Sequence, residues 1–333
     1  MIDGAERAAG CAIGVDLGGT KIAAAVFDAA GRRRAERRVA TPAGHAVEPV
    51  LRATADLVLE LSAQHGPARA LGVGIAGLVD HERGTVESSV ILPPWRGVHA
   101  AAELERRTGL ATFVDNDATA AGWGEYLALG SPDDLDLALV TVGTGIGAAL
   151  VLGGRIHRGA TNTSAELGNT TIDYAQGREH PSGNRGALNT LASGTAIAAA
   201  AREAWDRHGW PGTVRAASAS TEARAVDLHQ VAAAARAGDP HALAAIERGA
   251  VALGAGIANL LLLINPGRVS LMGGVLALGE GWLERVRAEA RARSFGPNAR
   301  AVIEPAAAGD WAGARGAAAL ALERLGAPSE VPS

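Results

Sequence analysis

Cysteine is nearly missing from this chain: Cys11 is the only one in 333 residues. A disulfide framework within the chain is therefore excluded, and so is a cysteine-rich zinc site. Lysine is as scarce. Of 31 basic side chains only Lys21 is a lysine, and it sits in a glycine turn, Asp16-Leu-Gly-Gly-Thr-Lys21. The formal net charge is only -4, so nothing draws the chain to nucleic acid or to an acidic membrane surface. The one basic run, Arg32, Arg33, Arg34, Arg37 and Arg38, reads as a solvated hairpin edge. The first ten residues hold no apolar core of signal-peptide length. The longest apolar stretch, around residues 257–264, is too short to span a bilayer. The expectation is a cytoplasmic protein with no membrane and no nucleic-acid partner.

The length suggests roughly two domains, and 48% hydrophobic residues suffice for two cores. An internal repeat supports a duplication. Residues 15–27 (VDLGGTKIAAAVF) align without gaps to residues 140–152 (VTVGTGIGAALVL). Each copy is an apolar run, a glycine-rich turn and a second apolar run, which predicts a β-hairpin twice over. Further strands are expected at 70–75, 112–115, 137–142, 147–152 and 268–272. Helices are expected at 49–64, 100–108, 117–129, 195–208, 227–236, 281–293 and 313–325. A long, almost wholly apolar helix at 241–264 should be buried. Residues 209–221 read as a surface loop and 327–333 as a tail. Such alternation argues for the α/β class with mixed sheets.

Four places carry chemistry. In the first turn, Gly18 and Gly19 let backbone N–H groups converge on an anion, Thr20 adds a hydroxyl, and Lys21 adds a charge. Asp16 beside them can hold Mg²⁺ through water. The second turn, Gly143-Thr144-Gly145, is a similar cradle without charge, and two facing turns would clamp a polyphosphate. Next, a strand delivers Asp115, Asn116 and Asp117 to a helix start. One of them can cap the helix; the others lie where open α/β sheets bind ligands. A carboxylate there can accept the proton of an attacking hydroxyl. Glu166 and Asn169, three apart around a glycine, precede a polar loop at 180–189 that is as readily an ordinary loop as a polyol-binding one. Finally, Gly273-Gly274 after a strand and Ser193-Gly194-Thr195 before a helix are compatible with close approach of a nucleotide.

As an ordered set these motifs resemble the ROK family of repressors, open-reading-frame proteins and sugar kinases. The resemblance spans about residues 12–325 and rests on DLGGTK (16–21), GIAGLVD (74–80), LPPWRGV (92–98), DNDATAA (115–121), GTGIGAALV (143–151), AELGN (165–169), SGNRGALNTLASGTAI (182–197) and INPGRVSLMGGV (264–275). It implies the actin-like ATPase fold, two ribonuclease-H-like domains around a cleft. The expected division is 1–118 and 119–326, with the last helix returning to the first domain. By position Asp117 resembles the catalytic base and Asn116 its substrate-binding neighbour, with Asp115 as runner-up base. Glu166 resembles a sugar-hydroxyl ligand. Asp16, Gly18, Gly19, Thr20, Lys21, Gly143, Thr144 and Gly145 resemble the phosphate loops, and Gly273 and Gly274 part of the adenosine pocket. The implied cofactors are ATP and Mg²⁺, the implied partner a polyol, and the implied assembly a homodimer.

Departures from the family pattern matter as much. The family's zinc kinases carry a histidine where this chain has Asn169, cysteines where it has His180, Ser182 and Ala187, and a glutamate where it has Asn189. Ala187 cannot ligate a metal, so no zinc is expected. In the family that histidine and that glutamate bind the C1–C2 end of a hexose. With Asn169 and Asn189 there, a charged acceptor is lost, and a charge-assisted hydrogen bond is worth about twice a neutral one. The expected substrate therefore differs from glucose at that end: a C7-cyclitol or a modified sugar of an antibiotic-type pathway. An ordinary hexose or amino-sugar kinase and a catalytically weak sugar-binding protein are the alternatives. A ROK repressor would need a helix-turn-helix ahead of Asp16, for which fifteen residues leave no room.

Overall fold

A computed structural model describes residues 10–212, 214 and 226–326. Part of the expected 209–221 loop and the whole 327–333 tail lie outside the described residues. The first hairpin pairs β1 (Ala12–Leu17) with β2 (Lys21–Phe27) antiparallel, Leu17 facing Ile22. The exposed β3 (Arg33–Ala40) closes one edge of the sheet with the arginine run. Its charges are paired with Asp28, Glu36, Glu60 and Asp310. After α1 (Val47–His65) come β4 (Ala70–Ile75), then a small antiparallel sheet of β5 (Leu78–Asp80), β6 (Thr85–Ser88) and β7 (Arg96–Val98). Helix α2 (Ala100–Thr108), β8 (Ala111–Asn116) and α3 (Asp117–Ala128) follow. The main sheet runs β3-β2-β1-β4-β8, parallel from β1 to β8.

Strand periodicity explains the layering. Ile13, Val15 and Leu17 of β1 face α1 and form a large-residue core with Val50, Val58 and Leu61. The alternate residues, Ala12, Gly14 and Asp16, face the last helix, α9 (Ala312–Gly326). That face is kept small because α9 lies against backbone. A Cβ on Gly14 would sit 1.7 Å from the Ala314 carbonyl oxygen, and one on Gly72 would sit 1.9 Å from that of Ala317. Helix α3 packs on α9 in the same way, Gly124 against Ala312 and Gly316 against Ala120. The fully buried Glu125 accepts N–H bonds from Ala307 and Ala308, fixing the chain as it enters α9.

The second sheet runs β11-β10-β9-β12-β13, from β9 (Leu137–Val142), β10 (Ile146–Leu152), β11 (Arg155–Ile156), β12 (Arg268–Met272) and β13 (Val302–Pro305). Helices α4 (Asn189–Ala192), α5 (Gly194–His208), α6 (Leu228–Arg236), α7 (Pro240–Ile264) and α8 (Glu280–Arg293) accompany it. Helix α7 begins at an Asp239 cap with proline in its first turn and stops at left-handed Asn265. It is long and apolar enough to cross a membrane by length and composition, unlike the shorter run read from sequence. Here it is a core helix, with Leu253, Ile257, Ala258 and Leu261 buried. The expectation of burial fails at both ends, at Leu243 in the first turn and at Leu262 and Leu263 in the last. Leu262 and Leu263 lie about 100° and 200° around the helix from Leu261, and Leu263 is 82% exposed.

Contacts divide the chain into two compact units. Among the described residues, one comprises those up to Asp134, Ala149–Ser164 and those from Ala307; the other comprises Leu135–Ala148 and those between Ala165 and Ala306. The last helix belongs to the first unit. Helix α3 does too, its glycine contacts being with α9.

Candidate functional site

In the first unit, Gly18 N–H donates to the Lys21 carbonyl at 3.0 Å and closes the turn. Three further bonds fix its peptide planes. Thr41 Oγ1 donates to the Gly18 carbonyl (2.7 Å), Thr41 N–H to that of Thr20 (3.1 Å), and His45 Nε2 to that of Gly19 (2.7 Å). A carbonyl only accepts, so that nitrogen carries the proton. A Cβ on Gly19 would lie 2.6 Å from Ile91. Thr20 and Lys21 are exposed. Thr41 and His45 were not foreseen, and no motif marks them.

Asp16 lies opposite Gly74 on β4, which lies opposite Asp115 on β8. Gly74 leaves room for Asp117: a Cβ there would sit 3.3 Å from the Asp117 Cα. Asp16 is not sealed from solvent, yet the protein around its carboxyl pushes it up to about 6. The Asp117 charge adds to the rise, and Lys21 and Arg38 oppose it. No side-chain hydrogen bond or ion pair reaches Asp16 among the described residues. A carboxyl held against its own ionisation and lacking a protein partner fits a cation ligand. Mg²⁺ typically takes one or two carboxylates plus phosphate oxygens.

The Asp115-Asn116-Asp117 run resolves into three roles. Asn116 is the helix cap: its Oδ1 accepts from Thr119 N–H (3.0 Å), and its Nδ2 donates to the Gly77 carbonyl (2.9 Å). One amide N–H is left for a ligand. Asp115 is buried and bidentate with Arg158, at 2.9 and 2.6 Å. This corrects its standing as runner-up base, since the guanidinium occupies both of its oxygens. Asp117 is the first residue of α3, half-buried, with Oδ1 accepting from the Ala118 N–H (2.9 Å).

In the second unit, Gly143 N–H donates to the Gly145 carbonyl (2.8 Å). The turn is seated on the N-terminus of α5: Gly194 N–H donates to the Gly143 carbonyl (2.8 Å), and Thr195 Oγ1 to that of Thr144 (2.6 Å). Ser193 caps the helix, whose first turn adds a partial positive charge. Gly273 (φ 111°) ends β12, where a Cβ would lie 2.4 Å from the Val142 carbonyl oxygen; Gly274 beside it is open.

Glu166 is exposed, and its Oε2 accepts from Asn169 Nδ2 at 2.7 Å. Asn169 Oδ1 accepts from Ser182 Oγ (3.1 Å), which is 2.8 Å from His180 Nδ1, and the Asn169 carbonyl accepts from Asn184 Nδ2 (3.0 Å). Ala187 is fully buried. Asn189 departs from a purely ligand-facing role: its Oδ1 accepts from Ile146 N–H at 2.6 Å and so ties the glycine turn to α4. Among the described residues no group of three or more His, Cys, Asp or Glu is placed to hold a metal ion.

The ROK family matches residues 12–324 of the chain. A glucokinase of Streptomyces coelicolor is 33% identical over 316 residues, covering 94% of this chain and 98% of that protein. An N-acetylmannosamine kinase of Citrobacter koseri is 32% identical, covering 83% and 87%. Among solved structures, a ROK family glucokinase from Streptomyces griseus in complex with glucose and AMPPNP has a TM-score of 0.83 at 33% identity, covering 94% of this chain and all of that one. The fold is that of the actin-like ATPases, as the motifs implied.

Proposed function

The chain belongs to the ROK family, and on that footing we propose that it is an ATP-dependent carbohydrate kinase acting on a sugar-like polyol that differs from glucose at its C1–C2 end. The observation that carries the kinase reading is Asp117. It stands half-buried at the start of α3, close enough to Asp16 for its charge to add to the rise that burial imposes on that carboxyl. In the proposed step Asp117 accepts the proton of the attacking hydroxyl as its oxygen bonds to the γ-phosphorus and the bond to the β-phosphate oxygen breaks. Gly18, Gly19, Thr20 and Lys21, and Gly143, Thr144 and Gly145, hold the phosphates, with Gly273 and Gly274 beside the adenosine. Mg²⁺, when bound, neutralises charge on the transferred group, and Asp16 would hold it. Asn116 offers its remaining N–H to the polyol, and Glu166 accepts from a hydroxyl.

The substrate reading rests on Asn169 and Asn189. Asn169 spends one N–H on Glu166 and its oxygen on Ser182, while Asn189 spends its oxygen on Ile146. What faces the far end of a polyol is therefore neutral amide N–H. A C7-cyclitol lacking the hemiacetal is the proposed acceptor. Plain hexose phosphorylation is the second reading, favoured by the glucokinase relatives. ATP-coupled turnover on glucose, N-acetylmannosamine and a valiolone-like cyclitol separates them. Efficient turnover of glucose would sink the cyclitol assignment. Equal rates for the wild type and Asp117→Asn, in place of the expected 10²–10⁴-fold loss, would sink the kinase mechanism.

A further inference from the structure

Arg158 lies on no recognised motif, yet the most heavily bonded carboxylate near the proposed base is its partner. Arg158 Nη1 and Nη2 meet Asp115 Oδ1 and Oδ2 at 2.9 and 2.6 Å, the fork-on-fork geometry of a strong ion pair. Asp115 is 7% exposed. Its Oδ1 also accepts the backbone N–H of Asn116 at 2.8 Å. Asn116 in turn spends its side chain on Thr119 N–H and the Gly77 carbonyl. The bonds thus run unbroken from the guanidinium, through Asp115 and Asn116, to the first turn of α3, where Asp117 stands.

The anchor itself is well held. Ser164 N–H donates to the Arg158 carbonyl at 3.1 Å and Ser164 Oγ to that of His157, closing the loop that carries the guanidinium. Behind the pair, Arg324 donates to the His81 carbonyl and lies over the Phe113 ring at 5.0 Å. Asp115 thus acts on two guanidiniums, that of Arg158 directly and that of Arg324 through its charge, with Glu82 also acting on Arg324. With both oxygens engaged, it is a fixture of the site.

We infer that Arg158 is a positioning residue for phosphoryl transfer: through Asp115 and the Asn116 cap it sets the place of the Asp117 carboxylate. This rests on the kinase reading for its effect on rate, but not for its effect on geometry. A displacement of about 1 Å in a reacting group can cost about 100-fold in rate. Nucleotide binding does not pass through this chain of bonds, so kcat should fall while KM for ATP holds.

The test uses the full chain with Arg158→Lys, which keeps the charge but not the fork, and Arg158→Met, which keeps neither. Rates are expressed per folded molecule, with the folded fraction measured by circular dichroism. The expected result is a loss in kcat of about 100-fold for Arg158→Met and a smaller loss for Arg158→Lys, which restores charge alone, with KM for ATP within about twofold. Crystal structures of both variants should show Asp117 displaced. Wild-type kcat per folded molecule in Arg158→Met, or an unmoved Asp117, overturns the inference. If the wild type turns over no polyol, the kinase reading fails, and the position of Asp117 in the two crystal structures still decides this one.

Discussion

Asp16→Asn should make the protein more stable and less active at once. A carboxyl raised from 3.8 to about 6 costs about 3 kcal/mol when ionised, at about 1.36 kcal/mol for each pH unit. The sign follows from proton binding. Between pH 3.8 and 6 the folded chain keeps a proton that the unfolded chain has released, so this group lowers stability as pH rises. The cost is absent below about pH 3.8 and complete above about 6. Asparagine keeps the volume, removes the charge and breaks no hydrogen bond described at Asp16. The variant should therefore melt about 4 °C higher than the wild type at pH 7.5 without nucleotide or metal. At pH 5 about half of that difference should remain. Thermal unfolding followed by circular dichroism at the two pH values reads both numbers, and coupled turnover at pH 7.5 should be lost. A variant less stable than the wild type at pH 7.5, or a gap that is the same at pH 5, would refute the argument that Asp16 is held at a cost to the fold.

Other substitutions probe the scaffold and the second unit. Gly72→Ala drives a Cβ to within 1.9 Å of a backbone oxygen on α9 and should cost about 3 kcal/mol or more; an unchanged urea midpoint would contradict the close packing. Asp115→Asn leaves Arg158 and Arg324 without their shared carboxylate. A loss of about 3 kcal/mol is expected, and a melting temperature within 1 °C of wild type would mean that the pair carries little weight. Asn169→Ala removes the amide that holds Glu166. It should raise KM for the polyol about tenfold, in line with a lost hydrogen bond to a charged group, and leave KM for ATP alone. A change confined to ATP would place Glu166 elsewhere in the reaction.

Most elements could be read from local pattern because their boundaries are set locally. Strands 70–75, 137–142 and 268–272 and the helix at 100–108 fall where alternation and turn residues put them. Helix α1 runs Val47–His65, two residues beyond the expected 49–64 at its start and one at its end. The small sheet of β5, β6 and β7 was not read, since strands of three or four residues carry too little period to register. The grouping of α3 was not read either. It depends on glycines of α3 and α9 meeting across nearly two hundred residues of chain, and a glycine in a helix looks the same from sequence whether it faces solvent or backbone.

The site divides along the same line. Both glycine turns and the Asp115–Asp117 run were visible because the chemistry sits in consecutive residues. What holds them is dispersed: Thr41 and His45 behind the first turn, Ser193 and Asn189 beside the second, Arg158 behind Asp115. In a chain whose basic residues are almost all arginine, Arg158 carries no mark of its own. Only the burial of Asp115 singles it out, because a buried carboxylate must find a cation or give up its charge. That condition also bears on which of two nearby acids is tied to a guanidinium. The pattern of Asp, Asn, Asp left the choice between Asp115 and Asp117 partly to resemblance. The bidentate guanidinium occupies both oxygens of Asp115, which favours the proposal that Asp117 is the base.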